Sequence, residues 1–194
     1  MKIYKYKGIG VPDKHFFRED VPMTKSEVRA VTMSKLELDK EDIMIDIGSG
    51  TGSVTVEGAF ICKKVYAVET KKEAIALTKK NLNHFNIKNY ELINGLFPHV
   101  DIPIDKVDAI FIGGSKGKLK EIFEWAEKNL NSSGRIVANF VTLENTVKFI
   151  DLLKEYKYED IDITHMQITK GKSVASYTMM QSNNPIYIIK GVKK

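Results

Sequence analysis

A glycine-rich loop and two acidic residues in the first half of the chain have the residue types and spacing of a nucleotide-cofactor site. The loop is Asp46-Ile47-Gly48-Ser49-Gly50-Thr51-Gly52, and it follows a short apolar run. The second acid, Glu69, ends the next apolar run, at positions 65–68. Strand, glycine-rich turn, helix, strand and acid is the order of a nucleotide-binding βαβ unit. We therefore predict a cofactor site where the glycines let the backbone approach the ligand.

The position of Asp46 favours S-adenosylmethionine over NAD as that cofactor. An NAD site presents free helix N–H groups to a pyrophosphate. S-adenosylmethionine instead carries an ammonium and a sulfonium, which suit a nearby carboxylate. The loop reads D-x-G-x-G-x-G rather than G-x-G-x-x-G, and Glu69 is placed to accept hydrogen bonds from both ribose hydroxyls. The alternative is a plain structural turn in an α/β protein.

Length and composition predict one cytoplasmic domain. A chain of 194 residues has the length of a single domain, here 1–194. Its one cysteine, Cys62, excludes an internal disulfide and fits a reducing compartment. No apolar run approaches the ~20 residues that cross a bilayer. Four scattered histidines without cysteine partners argue against a metal site. The net charge of +5 fits a polyanionic partner, or simply a solvated lysine-rich surface.

Alternating apolar runs and helical periodicities predict a doubly wound α/β sheet with the ligand at the carboxyl ends of its strands. Two β-rich runs near the end of the chain, about 158–169 and 176–189, have no helix between them and should pair antiparallel. The other strands are expected at 43–45, 65–68, 90–94, 107–112 and 135–140, and the helices at 54–61, 72–82, 119–130 and 143–156.

Residues 1–36 are interpreted as an N-terminal extension followed by a helix. Glycines and prolines break the pattern over 1–23. Thr24-Lys25-Ser26-Glu27 then has the spacing of a capping box, in which Thr24 is the N-cap and Glu27 reaches back to it. The helix is therefore expected to begin immediately after Thr24.

Two more segments follow predicted strands at the ligand edge. After strand three, Phe97 could pack on an adenine face, or could be a core residue beside a Gly-Pro turn. After strand four, the loop Gly113-Gly114-Ser115-Lys116-Gly117-Lys118 lacks the spacing of a phosphate-binding P-loop. We interpret it as a flexible basic loop that meets the acceptor substrate, with a simple turn as the alternative.

The chain resembles the small decarboxylating precorrin methyltransferases of cobalamin biosynthesis over nearly all of its length. The most specific match is the segment 10–29, which follows the family pattern G-[IV]-P-D…F-x-R…P-[MI]-T-K-x-E-[VI]-R. The glycine loop at 46–52, Glu69 and the segment 113–115 also match. At Leu96 the chain departs from the family, which commonly has an acid there.

This resemblance implies a class I methyltransferase fold, with a seven-stranded, mostly parallel sheet and an antiparallel last strand. It implies a homotetramer that methylates carbon 15 of a cobalt-precorrin and removes the ring C acetate as carbon dioxide. No side chain is assigned to catalysis, and no metal is expected from the protein. The implied cofactor contacts are Thr24, Gly48, Ser49, Gly50, Thr51, Gly52, Glu69 and Phe97, and the candidate substrate contacts are Arg18, Gly113, Gly114, Lys116 and Lys118.

Two other functions stay open from the sequence. A nucleic-acid methyltransferase, acting on tRNA, would use the same core and would suit the basic charge. The Asn-Pro-Pro-Tyr signature of nucleobase N-methylases is missing, because Asn184-Pro185-Ile186-Tyr187 lacks the second proline and lies in the last predicted strand rather than after strand four. A non-catalytic S-adenosylmethionine-binding protein is the third possibility, against which the intact loop and Glu69 argue.

Overall fold

The apolar runs of the sequence form the central strands of a mixed sheet that is covered by helices on both faces. The computed structural model describes residues 7–194, so the first part of the predicted irregular segment 1–23 lies outside the described residues. The helices are α1 Ser26–Leu36, α2 Ser53–Ala59, α3 Lys72–His84, α4 Leu119–Asn129 and α5 Leu143–Glu155. The strands are β1 Ile43–Ile47, β2 Lys64–Glu69, β3 Tyr90–Asn94, β4 Val107–Ile112, β5 Leu130–Phe140, β6 Glu159–Met166, β7 Thr169–Val174, β8 Tyr177–Ser182 and β9 Ile186–Val192.

Seven of the strands form one sheet in the order β3-β2-β1-β4-β5-β9-β6. Strands β1 to β5 pair in parallel, whereas β9 lies antiparallel to both β5 and β6. The predicted seven-stranded, mostly parallel sheet with an antiparallel last strand is therefore confirmed. The strand order reverses between β1 and β4, and this switch point opens a crevice at the carboxyl edge of the sheet.

Alternate residues of the central strands supply two separate cores, because successive side chains of a strand point to opposite faces. Ile45, Ile110 and Ile112 pack with α4 and α5 on one face. Met44 and Phe111 pack with α1 and α2 on the other face. Within residues 7–194 no helix is both long and apolar enough to cross a bilayer.

The last β-rich part of the chain differs from the prediction. Two antiparallel runs were expected, but the segment forms four strands, and the main sheet pairs β6 with β9. Strands β7 and β8 pair only with each other, and every residue in them is exposed. We call this two-stranded projection, residues 169–182, the arm. Since neither of its faces is buried, its sequence carries no apolar alternation that would reveal the strands.

The capping-box prediction is wrong. Helix α1 begins at Ser26, and its N-cap residue Lys25 makes no side-chain cap. Asp13 caps the helix from a distance, because its Oδ1 accepts a hydrogen bond from the Ser26 N–H at 2.9 Å. Glu27 instead pairs with Lys170 of the arm at 2.6 Å. A carboxylate supplied by the preceding segment thus replaces the local cap.

A buried ion pair holds the segment before α1, residues 10–25, which we call the N-terminal strap. Arg29 and Glu57 are fully buried, and Arg29 Nε lies 2.6 Å from Glu57 Oε1. The Glu57 carboxylate also accepts the N–H groups of Gly10 and Val11, each at 2.9 Å. Arg29 donates to the carbonyls of Val11 and Thr24. Helices α1 and α2 therefore supply partners for backbone groups at both ends of the strap.

Replacing Glu57 with glutamine should lower the free energy of unfolding by about 3–5 kcal/mol, since it leaves the Arg29 charge buried without its partner. Urea unfolding followed by circular dichroism measures this change. Glu91→Gln is the matched control, because the Lys64–Glu91 pair is over one-third exposed on both sides and should contribute at most about 1 kcal/mol. Equal decreases in the free energy of unfolding of the two variants would contradict a stabilising role of the Arg29–Glu57 pair.

Candidate active site

Five chain segments meet at the carboxyl edge of the sheet and enclose a cavity of about 310 Å³. They are the strap, the glycine loop after β1, the end of β2, the loop after β3 and the loop after β4. Ten of the predicted site residues line this cavity: Thr24, Gly48, Ser49, Gly50, Thr51, Glu69, Phe97, Gly113, Gly114 and Lys116. The predicted ligand edge is therefore a real enclosed space.

The glycine loop needs glycine because other backbone lies against it. Gly48 has a φ of +77°, and a Cβ there would lie 2.9 Å from the Gly114 nitrogen. Gly50 has a φ of +56°, and its Cβ would lie 3.2 Å from the carbonyl oxygen of Pro22. The loops after β1 and β4 and the strap thus approach each other at backbone distance around the cavity.

Gly52 does not line the cavity, although the sequence placed it among the cofactor contacts. It precedes the first residue of α2, and a Cβ would lie 2.7 Å from Thr78 Cγ2 of α3. The third glycine of the loop therefore serves close packing between α2 and α3. This is the usual role of the last glycine in dinucleotide-binding loops.

Glu69 ends β2 as predicted and faces the cavity with a fixed carboxylate. Its Oε1 accepts the backbone N–H groups of Thr70 and Lys71 at 2.7 and 3.0 Å, and the Thr70 hydroxyl at 3.1 Å. Within residues 7–194, its Oε2 accepts one hydrogen bond, from the Gly50 N–H at 3.1 Å. An ionised carboxylate offers about four acceptor positions, so Oε2 keeps capacity for a ligand hydroxyl.

Asp46 is a buried acid with one unsatisfied oxygen. Its side chain is fully buried, and Oδ2 accepts the Thr55 hydroxyl at 2.6 Å. Oδ1 has no hydrogen-bond partner within the described part of the chain. Burial raises the pKa of Asp46 to about 7, and the nearby negative charge of Glu69 adds to this effect. A half-paired acid on the cavity wall fits a positively charged ligand, which would favour its ionised form.

Two polar residues of α3 hold the loops around the cavity, and the sequence analysis assigned neither of them a role. The Thr78 hydroxyl donates to the Gly50 carbonyl at 2.9 Å. Asn81 is fully buried, and its amide donates to the carbonyls of Thr51 and Phe17, each at 2.8 Å. Both residues share the helical spacing of the apolar residues Ala74 and Leu77. Polar residues on a buried helix face need hydrogen-bond partners inside the protein. A threonine and an asparagine at the spacing of buried apolar residues could therefore have indicated these hydrogen bonds from the sequence.

Phe97 reaches the cavity, but most of its ring belongs to the core. Its side chain is 2% exposed and packs edge-on against Trp125 of α4, with ring centroids 4.9 Å apart. Position 95 must be glycine, because an added Cβ there would lie 2.1 Å from Cγ1 of Val100. The core interpretation of Phe97 therefore applies, and its contact with an adenine stays a prediction. Gly95 serves packing within its own loop.

The three candidate substrate cations occupy different places. Lys116 lies on the cavity wall, in the loop after β4. Arg18 and Lys118 are not among the lining residues. The Lys118 ammonium pairs with Glu121 at 2.9 Å, and His99 Nε2 lies 2.6 Å from the same carboxylate. Of the three, only Lys116 therefore belongs to the cavity lining.

The strand order, the glycine loop after β1 and the acid at the end of β2 define a class I methyltransferase fold, whose enzymes use S-adenosylmethionine. A solved structure described as precorrin-6y C5,15-methyltransferase from Geobacter metallireducens has a TM-score of 0.91 and 34% identity, and the alignment covers 98% of this chain and 100% of that one. A second, described as precorrin 8W decarboxylase from Methanobacterium thermoautotrophicum, has a TM-score of 0.88 and 34% identity, with 93% and 98% covered.

The sequence comparison identifies the family. The model of the precorrin methyltransferase domain matches residues 15–193. A probable cobalt-precorrin-6B C(15)-methyltransferase (decarboxylating) from Sulfurisphaera tokodaii is 42% identical, over 95% of this chain and 97% of the relative. The chain belongs to the precorrin methyltransferase family. The resemblance inferred from the strap sequence and the glycine loop is confirmed, as is the assignment to enzymes.

Asp46 should make both stability and cofactor affinity depend on pH. Its pKa is raised from 3.8 to about 7 in the folded protein. Between these values the folded state holds a proton that the unfolded state has released, so the stability of the ligand-free protein should fall as pH rises toward 7. A cationic cofactor prefers the ionised acid, so its affinity should rise over the same range. Thermal unfolding and calorimetric titration at pH 5.5, about 7 and about 8.5 measure the two trends.

Asp46→Asn is the control for these trends, because asparagine has a similar shape and does not titrate. Both pH slopes should flatten in this variant. If the slopes of the Asn variant match those of the wild type, a different group is responsible for them.

Glu69→Gln should weaken S-adenosylmethionine binding by about 1–3 kcal/mol, because it removes charge and acceptor capacity at Oε2. The fold should persist, since the residue lies at the carboxyl end of β2 and is partly exposed. Isothermal titration gives the dissociation constant, and circular dichroism checks the fold. A wild-type dissociation constant in a folded variant would show that another group holds the ribose.

Proposed function

We propose that this protein methylates carbon 15 of cobalt-precorrin-6B and releases the C-12 acetate carboxyl group as carbon dioxide, with S-adenosylmethionine as methyl donor. The observation that carries the proposal is the cavity itself, in a chain of this family. The cavity lining includes the carboxylates of Asp20, Asp46 and Glu69 and the lysines Lys71 and Lys116, and Lys116 lies in the loop after β4. Acids beside the glycine loop and a lysine in the loop after β4 suit a cationic methyl donor beside a substrate that carries carboxylates.

The proposed cofactor contacts act by position. When bound, S-adenosylmethionine supplies a methyl group on a sulfonium, which needs no further activation. Glu69 is held by backbone N–H groups and orients the ribose, while Asp46 provides negative charge near the cation. Thr24 and the loop residues Gly48–Thr51 form the surrounding wall. Holding the acceptor carbon, the methyl carbon and the sulfonium sulfur in line would lower the barrier, since the carbon–methyl bond forms as the methyl–sulfur bond breaks and the neutral thioether leaves. No acid or base of the chain is assigned to this step.

The proposed acceptor contacts come from the loop after β4. Gly113 and Gly114 leave room for the macrocycle, and Lys116 attracts its carboxylates. Arg18 and Lys118, which lie outside the cavity lining, are proposed as outer contacts only. The electron pair left by decarboxylation passes into the conjugated macrocycle of the substrate.

One incubation tests the reaction. The enzyme is supplied with methyl-labelled S-adenosylmethionine and cobalt-precorrin-6B, and bulk tRNA serves as the matched acceptor control. We expect label in the tetrapyrrole only, with a product mass that shows one methyl group gained and one carbon dioxide lost. Label in tRNA, or methylation without decarboxylation, would refute the proposal.

Lys116→Gln should raise the Michaelis constant for the tetrapyrrole roughly two- to fivefold and leave cofactor affinity unchanged, as expected for a partly exposed ion pair. The effect should shrink as salt rises, because such pairs are screened. Lys118→Gln is the matched control from the same loop, and its effect should be smaller because Glu121 already pairs with that lysine. Equal Michaelis constants for the wild type and Lys116→Gln would remove Lys116 from the acceptor site.

A homo-oligomer, a tetramer by the family resemblance, and a cytoplasmic location are part of the same proposal. Leu143 and Val147 lie one turn apart on α5, and they are exposed together with Val141 by 56–65% of their surface. Such a group of apolar side chains supports contact with a second copy. The buried free thiol of Cys62 suits a reducing compartment. Light scattering of the wild type and of Leu143→Ser/Val147→Ser compares their masses, and a monomeric wild type would exclude the oligomer.

A further inference from the structure

The arm at residues 169–182 has two chemically different faces. Directly opposed residues of an antiparallel pair share a face, and the pairing joins Thr169 to Ser182 and Val174 to Tyr177. The Thr169 and Ser182 hydroxyls, 2.9 Å apart, show the same arrangement. One face, which we call the basic face, carries Lys170, Lys172, Val174, Tyr177, Met179 and Gln181. The opposite face carries Thr169, Gly171, Ser173, Thr178, Met180 and Ser182.

The arm emerges at the carboxyl edge of the sheet, where the cavity lies. Strand β6 runs parallel to β5 and ends at Met166, immediately before the arm. On the other side of the arm, β9 begins at Ile186, and its Tyr187 lies opposite Phe140, the last residue of β5. The base of the arm is therefore level with the ends of the parallel strands that carry the site.

Two ion pairs fix the direction in which the basic face points. Lys35, near the end of α1, pairs with Asp162 of β6 at 2.6 Å. Lys170 of the basic face pairs with Glu27 in the first turn of α1, also at 2.6 Å. The start of α1 thus lies at the carboxyl edge, three residues after Thr24 of the cavity wall. The basic face is turned toward the start of this helix.

The chemistry of the basic face suits one kind of ligand. The arm contains two lysines and no acidic residue. Tyr177 and Met179 are 75% and 58% exposed, and within residues 7–194 Lys172 makes no ion pair. Aromatic and methionine side chains adapt to flat apolar surfaces, and lysines attract carboxylates. A macrocycle with a flat conjugated body and carboxylates at its rim presents both features.

We infer that the basic face of the arm forms the outer wall of the acceptor site and binds the rim carboxylates and one face of the tetrapyrrole. This inference rests on the proposed function and adds a second wall to the site, opposite Lys116. Strands lie about 4.8 Å apart, so two strand spacings separate β4 from β9, or roughly 10 Å. One macrocycle is wide enough to contact both the loop after β4 and the arm. A role in substrate binding also explains why apolar side chains stay exposed on a hairpin that has no core of its own.

The test compares two double variants of the same hairpin. Lys172→Gln/Tyr177→Ser changes the basic face, and Thr178→Ala/Met180→Ser is the matched control on the opposite face. Two readouts are used: the Michaelis constant for cobalt-precorrin-6B, and the dissociation constant of uroporphyrin, a stable macrocyclic polycarboxylate, by fluorescence titration. The affinity for S-adenosylmethionine and the molecular mass at assay concentration are measured in parallel.

The basic-face variant should raise the Michaelis constant for cobalt-precorrin-6B and the dissociation constant of uroporphyrin roughly tenfold, because it loses one screened ion pair and one aromatic contact. Cofactor affinity and mass should not change, and the opposite-face variant should stay within about twofold of the wild type. If both variants match the wild type, the arm does not bind the acceptor. A basic-face variant of lower mass whose constants recover at higher protein concentration would show that this face contacts a second copy, which also overturns the inference.

Failure of the inference and failure of the proposed function give different results. If the wild type methylates cobalt-precorrin-6B and the basic-face variant is unaffected, the arm inference alone fails. If the wild type shows no turnover, the proposed function fails and the uroporphyrin titration decides about the arm. Binding that weakens only in the basic-face variant then supports the arm, and equal or absent binding refutes it.

Discussion

The architecture of the site depends on the buried ion pair between Arg29 and Glu57. The N-terminal strap has no regular structure apart from one short 3-10 turn at Asp13–His15, so its backbone groups need partners from elsewhere. The pair provides them, because the carboxylate accepts two strap N–H groups and the guanidinium donates to two strap carbonyls. Without this pair the cavity would lose one of its five walls.

Asp46, a second buried acid on the same side of the sheet, lacks the full set of hydrogen-bond partners that Glu57 has. Glu57 has partners on both oxygens, whereas Asp46 has a partner on only one. Leaving a buried oxygen unpaired costs free energy in the ligand-free protein. A cationic ligand recovers that cost on binding, so the protein gives up some stability where the cofactor binds and keeps it where the strap is attached.

Features that are set by local patterns could be predicted from the sequence. Strands β3 and β4 were predicted at their observed bounds. For β4 the reason is a mostly apolar run, which leaves little choice for a buried parallel strand. The glycine loop and Glu69 were found because their spacing is set by a single βαβ unit. The helix cap at Asp13 was missed, since its partner Ser26 lies 13 residues away. The tethers at Thr78 and Asn81 were missed for the same reason, since their partners lie 28 to 64 residues away. Strand β7 was missed, and β8 and β9 were merged into one predicted run, because exposed strands have no burial pattern that marks their ends.

The strap has a consequence for how the chain is made. A ribosome delivers residues 10–25 first, but their partners come much later, since Glu57 lies 46 and 47 residues beyond Val11 and Gly10, and Asn81 lies 64 residues beyond Phe17. Until α2 and α3 have emerged, the strap lacks these two partners. Contacts over such separations form late, because closing a long loop costs chain entropy before the contacts that offset this cost have formed. The nascent chain therefore cannot complete its cofactor cavity until residue 116, the last residue of the lining, has been synthesised. The strap, which is the first wall in sequence order, cannot make all of its contacts before α3 has emerged.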